Sequence, residues 1–146
     1  MELFVDTSAL VKFYYPEAGS ADVEALLLAA ERVFVSRLSI VEIASALAKK
    51  LRSSAIGKDD ETRIWNAFQD DLRSGSVTLI HLDEELIARA ATLIRDLGAP
   101  EGLRTLDALQ LASAMNQRGA LFLSADRRLA RIAVLVGLGI PPSRTA

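Results

Sequence analysis

Four acidic residues, Asp6, Glu42, Asp107 and Asp126, each stand where an apolar segment meets the start of an expected helix. Asp6 closes the run Leu3-Phe4-Val5, and Glu42 lies within Ser39-Ile40-Val41-Glu42-Ile43-Ala44. Asp107 is framed by Leu106, Ala108 and Leu109, and Asp126 comes just after Leu121-Phe122-Leu123-Ser124. A carboxylate among apolar residues carries a desolvation cost unless it is paired, hydrogen-bonded or metal-bound. Carboxylates gathered at one place also raise one another's pKa, a conflict that a divalent cation removes. Mg²⁺ held by a few carboxylates keeps several waters, binds phosphate oxygens and activates a water for attack. The chemistry that suits such a cluster is phosphodiester hydrolysis. Thr7, Ser8 and Ser124 stand beside the acids and are candidates to orient metal waters or a carboxylate.

Each acid has a structural reading as well. Asp6 or Thr7 suits a helix cap, Ser39-x-x-Glu42 matches a capping box, and Asp107 and Asp126 suit the positive ends of helices. Four such acids at strand ends in an alternating pattern favour the functional reading. Asp6-Thr7-Ser8 also resembles the opening of a phosphatase with a nucleophilic aspartate, but Ser8 occupies the place where that motif needs a second acid. His81, after Val77-Thr78-Leu79-Ile80, reads as a strand-end residue rather than a base. Arg104, Arg127, Arg128 and Arg131 lie near Asp107 and Asp126 and are candidates for phosphate contact or for a solvated helix face. Trp65 and Phe68 read as core, and Tyr14 and Tyr15 suit either base stacking or packing of the first helix.

Composition narrows the options. At 146 residues and 51% hydrophobic, the chain has the size and apolar content of one globular domain, residues 1–146. A formal charge of −2 argues against nucleic-acid binding by general positive charge and leaves a local basic patch as the alternative. Without cysteine and with one histidine, thiolate and multi-histidine metal sites are excluded. The remaining ligands are oxygens, which suit Mg²⁺ or Mn²⁺. No export signal precedes Asp6, and the apolar run Ile132 to Ile140 is too short to span a bilayer, so a soluble, cytoplasmic protein with no membrane partner is expected.

The acids need elements to position them. Residues 2–6 read as a buried strand, followed by a helix that Pro16 stops and a second helix after Gly19-Ser20. Strand character returns at 32–36, and 38–52 reads as a long helix with Lys49-Lys50-Leu51-Arg52 at its negative end. A helix over about 59–73 ends at Gly75, a strand follows over 77–82, and Asp83 caps the next helix. Gly98-Ala99-Pro100-Glu101-Gly102 reads as a loop. The helix containing Asp107, a strand over 120–124, a helix after Asp126 and a weak strand or coil over 137–142 complete the pattern. Strands alternating with helices predict a parallel α/β sheet covered on both faces, with right-handed crossovers and a ligand crevice beyond the carboxyl ends of the strands.

Four ordered segments carry a family resemblance. Phe4-Val5-Asp6-Thr7-Ser8-Ala9-Leu10-Val11-Lys12 with Pro16-Glu17, Ser39-Ile40-Val41-Glu42-Ile43, Leu106-Asp107-Ala108-Leu109-Gln110-Leu111-Ala112 and Leu123-Ser124-Ala125-Asp126-Arg127-Arg128-Leu129 resemble the motifs of PIN-domain ribonucleases, and among them VapC-type toxins. The resemblance implies a three-layer α/β/α fold, with a mainly parallel sheet of four to five strands flanked by about seven helices. It implies an acidic metal site of Asp6, Glu42, Asp107 and Asp126, with Ser124 preceding the last acid and Thr7 or Ser8 supporting the first. It implies Mg²⁺- or Mn²⁺-dependent cleavage of RNA that inhibits translation, silenced by a VapB-type antitoxin, in a homodimer. Arg104 and Thr105 stand where some members carry a further acid, which leaves one or two metals open. An RNA-processing nuclease outside toxin–antitoxin systems is the alternative within the family. A protein-binding module whose acids only cap helices is the alternative outside it.

Overall fold

The computed structural model describes residues 1–142, so the last four residues of the expected domain lie outside the described residues. The chain runs β1 (Glu2–Val5), α1 (Thr7–Tyr14), α2 (Ser20–Ala29), β2 (Arg32–Ser36), α3 (Leu38–Arg52), α4 (Lys58–Ser74), β3 (Thr78–Ile80), α5 (Glu84–Glu101), α6 (Thr105–Met115), β4 (Leu121–Leu123) and α7 (Arg127–Leu135). The four strands form one parallel sheet in the order β3-β2-β1-β4. The chain therefore leaves β1 toward one edge of the sheet and later returns to its other side. The crevice beyond β1 and β4 lies at that change of direction, where open parallel sheets place their ligands.

Strand residues alternate between two cores, as the period of two requires. Leu3, Val5, Val35 and Leu123 face the core that α1 to α4 complete with Leu10, Val23, Ile43, Leu47, Ile64 and Phe68. Phe4, Phe34 and Phe122 face the other, closed by Leu86 and Leu93 of α5, Leu111 of α6 and Leu129 and Ile132 of α7. Phe4 and Phe122 stack across the β1–β4 pair with centroids 6.0 Å apart. Burial on both faces explains why β1 reads as continuously apolar.

Two local expectations are corrected. Residues 98–101 continue α5 instead of forming a loop, with Pro100 inside its last turn, where the missing N–H forfeits a single helical bond. The glycine that ends the helix is Gly102, left-handed at φ 67°, whose N–H bonds to Leu97 O. Ser39 is not a cap: α3 begins at Leu38, which places Glu42 in the second turn, beyond the reach of a capping box. Residues 137–142 are coil, joined to the sheet by Phe122 N–H to Gly139 O at 2.8 Å.

Candidate active site

Asp6 leaves β1 at the crevice and is 3% exposed. Its Oδ1 accepts from Ala9 N–H at 3.1 Å, which caps α1, and from the Ser8 hydroxyl at 2.7 Å; Oδ2 accepts from Ser124 Oγ at 2.7 Å. Burial nevertheless dominates and pushes the carboxyl from its ordinary 3.8 up to about 6, against the lowering by Ser124, Ser8 and Ala9 and with a smaller raising contribution from the Glu42 charge. Asp6 therefore caps α1, as its structural reading expects, while its carboxyl is held in a desolvated place.

Glu42 is fixed differently. Its Oε1 accepts from Thr7 Oγ1 at 2.8 Å and from Gln110 Nε2 at 2.7 Å, and no described residue donates to Oε2. Thr7 thus serves the second acid, whereas Ser8 and Ser124 serve the first. Ser39, fully buried, bonds to Thr7 Oγ1 at 2.8 Å and accepts from Gln110 Nε2 at 3.1 Å. Sequence reasoning passed over Gln110 as a member of an apolar helix. The signal was a polar residue three positions after Asp107 on the inward stripe of α6.

The other two acids are held apart from this pair. Asp126 caps α7, its Oδ1 accepting from Arg128 N–H at 2.9 Å and Leu129 N–H at 3.2 Å. Asp107 lies in the first turn of α6, where its Oδ2 pairs with Arg104 Nε at 3.3 Å and Arg128 Nη2 at 3.5 Å. Arg128 also donates to Gly102 O at 3.0 Å, while Arg127 is exposed and without a partner among the described residues. His81 shares a hydrogen bond with Arg37 at the end of β3.

Two adjoining hollows share Glu42. The larger, about 700 Å³, is lined by Thr7, Ser8, Glu42, Asp126, Lys12, Lys49 and Lys50 among others. The smaller, about 390 Å³, is lined by Glu42, Arg104, Thr105, Leu106 and Asp107. Glu42, Ser45, Ala46, Lys49, Lys50 and Ser53 recur at helical spacing, so one face of α3 floors the larger hollow from acid to lysines. These lysines are the cations that sequence reasoning did not assign to the site.

Among the described residues, no three of Asp, Glu and His stand close enough to hold one ion together. The donor set nonetheless fits a hard divalent cation. It is all oxygen, and Asp6, Glu42 and Asp126 lack any Lys or Arg partner among the described ion pairs. Asp107 alone is partly neutralised, by arginines that are 70% and 39% exposed and so free to turn elsewhere.

A family model described as the PIN domain matches residues 3–135. Among solved structures, FitAcB from Neisseria gonorrhoeae is 19% identical with a TM-score of 0.63, covering 97% of this chain and 97% of that one. VapBC2 from Rickettsia felis, bound to a promoter DNA fragment, is 17% identical with a TM-score of 0.63, covering 97% and 98%. A toxin–antitoxin complex from Klebsiella pneumoniae is 15% identical with a TM-score of 0.57, covering 85% and 86%. No curated protein sequence matches the chain. At these identities the structural likeness is one of fold. With the domain model spanning all four acids and the sheet that presents them, the chain belongs to the PIN-domain family of nucleases.

Proposed function

We propose that this protein is a Mg²⁺- or Mn²⁺-dependent endoribonuclease that hydrolyses RNA phosphodiester bonds, acting in the cytoplasm as the toxin of a VapBC-type pair. The observation that carries the hydrolytic reading is the Asp6–Glu42 pair. Asp6 is buried and braced by Ala9, Ser8 and Ser124, and Glu42 stands beside it with one oxygen held and the other open to the crevice. A cation bound there would screen the phosphate and lower the pKa of a water. Asp6 and Glu42 are the residues that would hold it first, and Asp107 and Asp126 in the adjoining hollows are the further acids proposed for the site. Ser8 and Ser124 keep Asp6 in orientation, and Thr7 keeps Glu42 in orientation. Lys12, Lys49 and Lys50 line one hollow and Arg104 the other, supplying positive charge where a strand of phosphates would pass. Arg127 and Arg128 follow Asp126 at the start of α7 and are the further candidates for phosphate contact.

The toxin role is supported by the likeness to VapBC2 and to the Klebsiella structure, which is a toxin–antitoxin complex. A VapB-type antitoxin and a second copy of this chain are the proposed partners.

The test is cleavage of a structured RNA pool by the purified protein with Mg²⁺, Mn²⁺ or EDTA, beside Asp6→Asn. Cleavage is expected with either metal, to stop in EDTA, and to fall roughly 100-fold in Asp6→Asn. Cleavage that persists in EDTA, or that the substitution leaves intact, would defeat the assignment.

A further inference from the structure

Gln110 is 2% exposed and occupies the middle of an apolar helix, and its Oε1 is buried without a hydrogen-bond partner. Buried polar atoms are seldom left unpaired, so the arrangement needs a cause. Rotating the amide by half a turn would let its oxygen accept from the Thr7 and Ser39 hydroxyls, which stand 3.1 Å and 3.1 Å from the present nitrogen. That rotation would also bring two oxygens together at Glu42, where the separation is now 2.7 Å. An ionised carboxylate only accepts, so it requires the N–H on its side. Glu42 thus sets the orientation of Gln110, and the orphaned oxygen is the consequence.

Thr7 and Gln110 both donate to one atom, Glu42 Oε1, and leave Oε2 to the crevice, while Ser39 shares a hydrogen bond with Thr7 Oγ1 and accepts from Gln110 behind them. The same helix that presents Asp107 in its first turn presents Gln110 one turn later. α6 therefore carries one acid of the site and fixes the rotamer of another that belongs to α3.

We infer that Gln110 is a positioning residue that holds Glu42 in its metal-facing rotamer, at a cost to the stability of the core around it. The inference rests on the nuclease reading above and adds a residue outside the acidic set. It predicts that stability and function respond to the same substitution in different ways. An apolar side chain of equal length removes both the donor that holds the carboxylate and the unpaired oxygen.

The experiment compares the full-length native protein with Gln110→Met, Glu42→Ala and the double variant, measuring the thermal midpoint without metal, Mn²⁺ affinity by calorimetry and RNA cleavage. Gln110→Met is expected to keep or raise the thermal midpoint, weaken Mn²⁺ binding about tenfold and lower kcat with little change in KM. In the Glu42→Ala background the same substitution should leave Mn²⁺ affinity unchanged, because the group it positions is gone. Thr7→Val, which removes the other donor to Oε1, should weaken Mn²⁺ binding in the same direction and serves if Gln110→Met does not fold. Mn²⁺ affinity within twofold of native in both variants overturns the inference and leaves the nuclease reading standing, as does a loss confined to the thermal midpoint. A native protein that neither binds Mn²⁺ nor cleaves RNA overturns both.

Discussion

Asp6 carries the tension between folding and function at the scale of one side chain. Its carboxyl is raised from 3.8 to about 6 because burial disfavours the charged form more than Ser124, Ser8 and Ala9 favour it. In the metal-free protein this group stabilises the fold below the unfolded pKa, and the contribution is lost as pH rises through about 6. A shift of that size corresponds to about 3 kcal/mol. Asp6→Asn does not titrate, so in EDTA its stability relative to the native protein should increase between pH 4 and pH 7, read from denaturant midpoints. Parallel profiles for the two proteins would show that the carboxyl is not held in a desolvated site. Asp6 was legible in the sequence because an acid after a buried apolar run is conspicuous. Gln110 was not, since only the packing of α6 against α1 and α3 makes an amide in an apolar helix face a carboxylate.

At the scale of elements, Asp126 does two jobs that substitution can separate. It caps α7 through Arg128 and Leu129 N–H and lines the crevice with the same side chain. Asp126→Asn keeps the cap and removes the charge, so thermal stability should be near native while metal-dependent cleavage falls roughly tenfold to a hundredfold. Asp126→Ala removes both and should cost about 1 kcal/mol in addition. If cleavage is untouched in the Asn variant, the acid is a cap alone. The end of α5 illustrates a limit of local signals. Gly98, Pro100 and Gly102 read together as a loop, yet helical burial of Leu93 and Leu97 carries the element on until Gly102 supplies the left-handed residue. Gly102→Ala should destabilise by about 1 kcal/mol through backbone strain, measured by chemical unfolding.

For the whole molecule, charge and topology decide where the proposed RNA substrate would approach. A net charge of −2 gives no general attraction, so on the proposed function the attraction would come from the basic ends of the two hollows around Glu42. Lys12 and Lys50 share Glu17, at 3.4 and 3.8 Å, while Lys49 is exposed and unpaired among the described residues. Measured on Asp6→Asn so that RNA stays intact, Lys49→Gln should flatten the salt dependence of binding by about 0.7 in log–log slope. Lys58→Gln, whose ammonium pairs with Glu61 at the start of α4, should leave the slope unchanged. Equal slopes in all three proteins would place the strand elsewhere. No described helix is long and apolar enough to cross a membrane.

The sequence by itself determined the alternation of strand and helix, the parallel sheet buried on both faces, and the placing of Asp6, Asp107 and Asp126 at the starts of helices. These follow from hydrophobic period, glycine and proline punctuation and the cost of leaving charge among apolar residues, all of which act over a few neighbouring residues. Tertiary structure alone decided which distant residues hold the acids: Asp6 by Ser124, Glu42 by Thr7 and Gln110, Asp107 by Arg128. The bonds from Ser124 to Asp6 and from Gln110 to Glu42 join residues 118 and 68 positions apart. No local rule reaches that far, because the partner of a buried polar group is set by which elements pack together, and that was fixed by the order β3-β2-β1-β4.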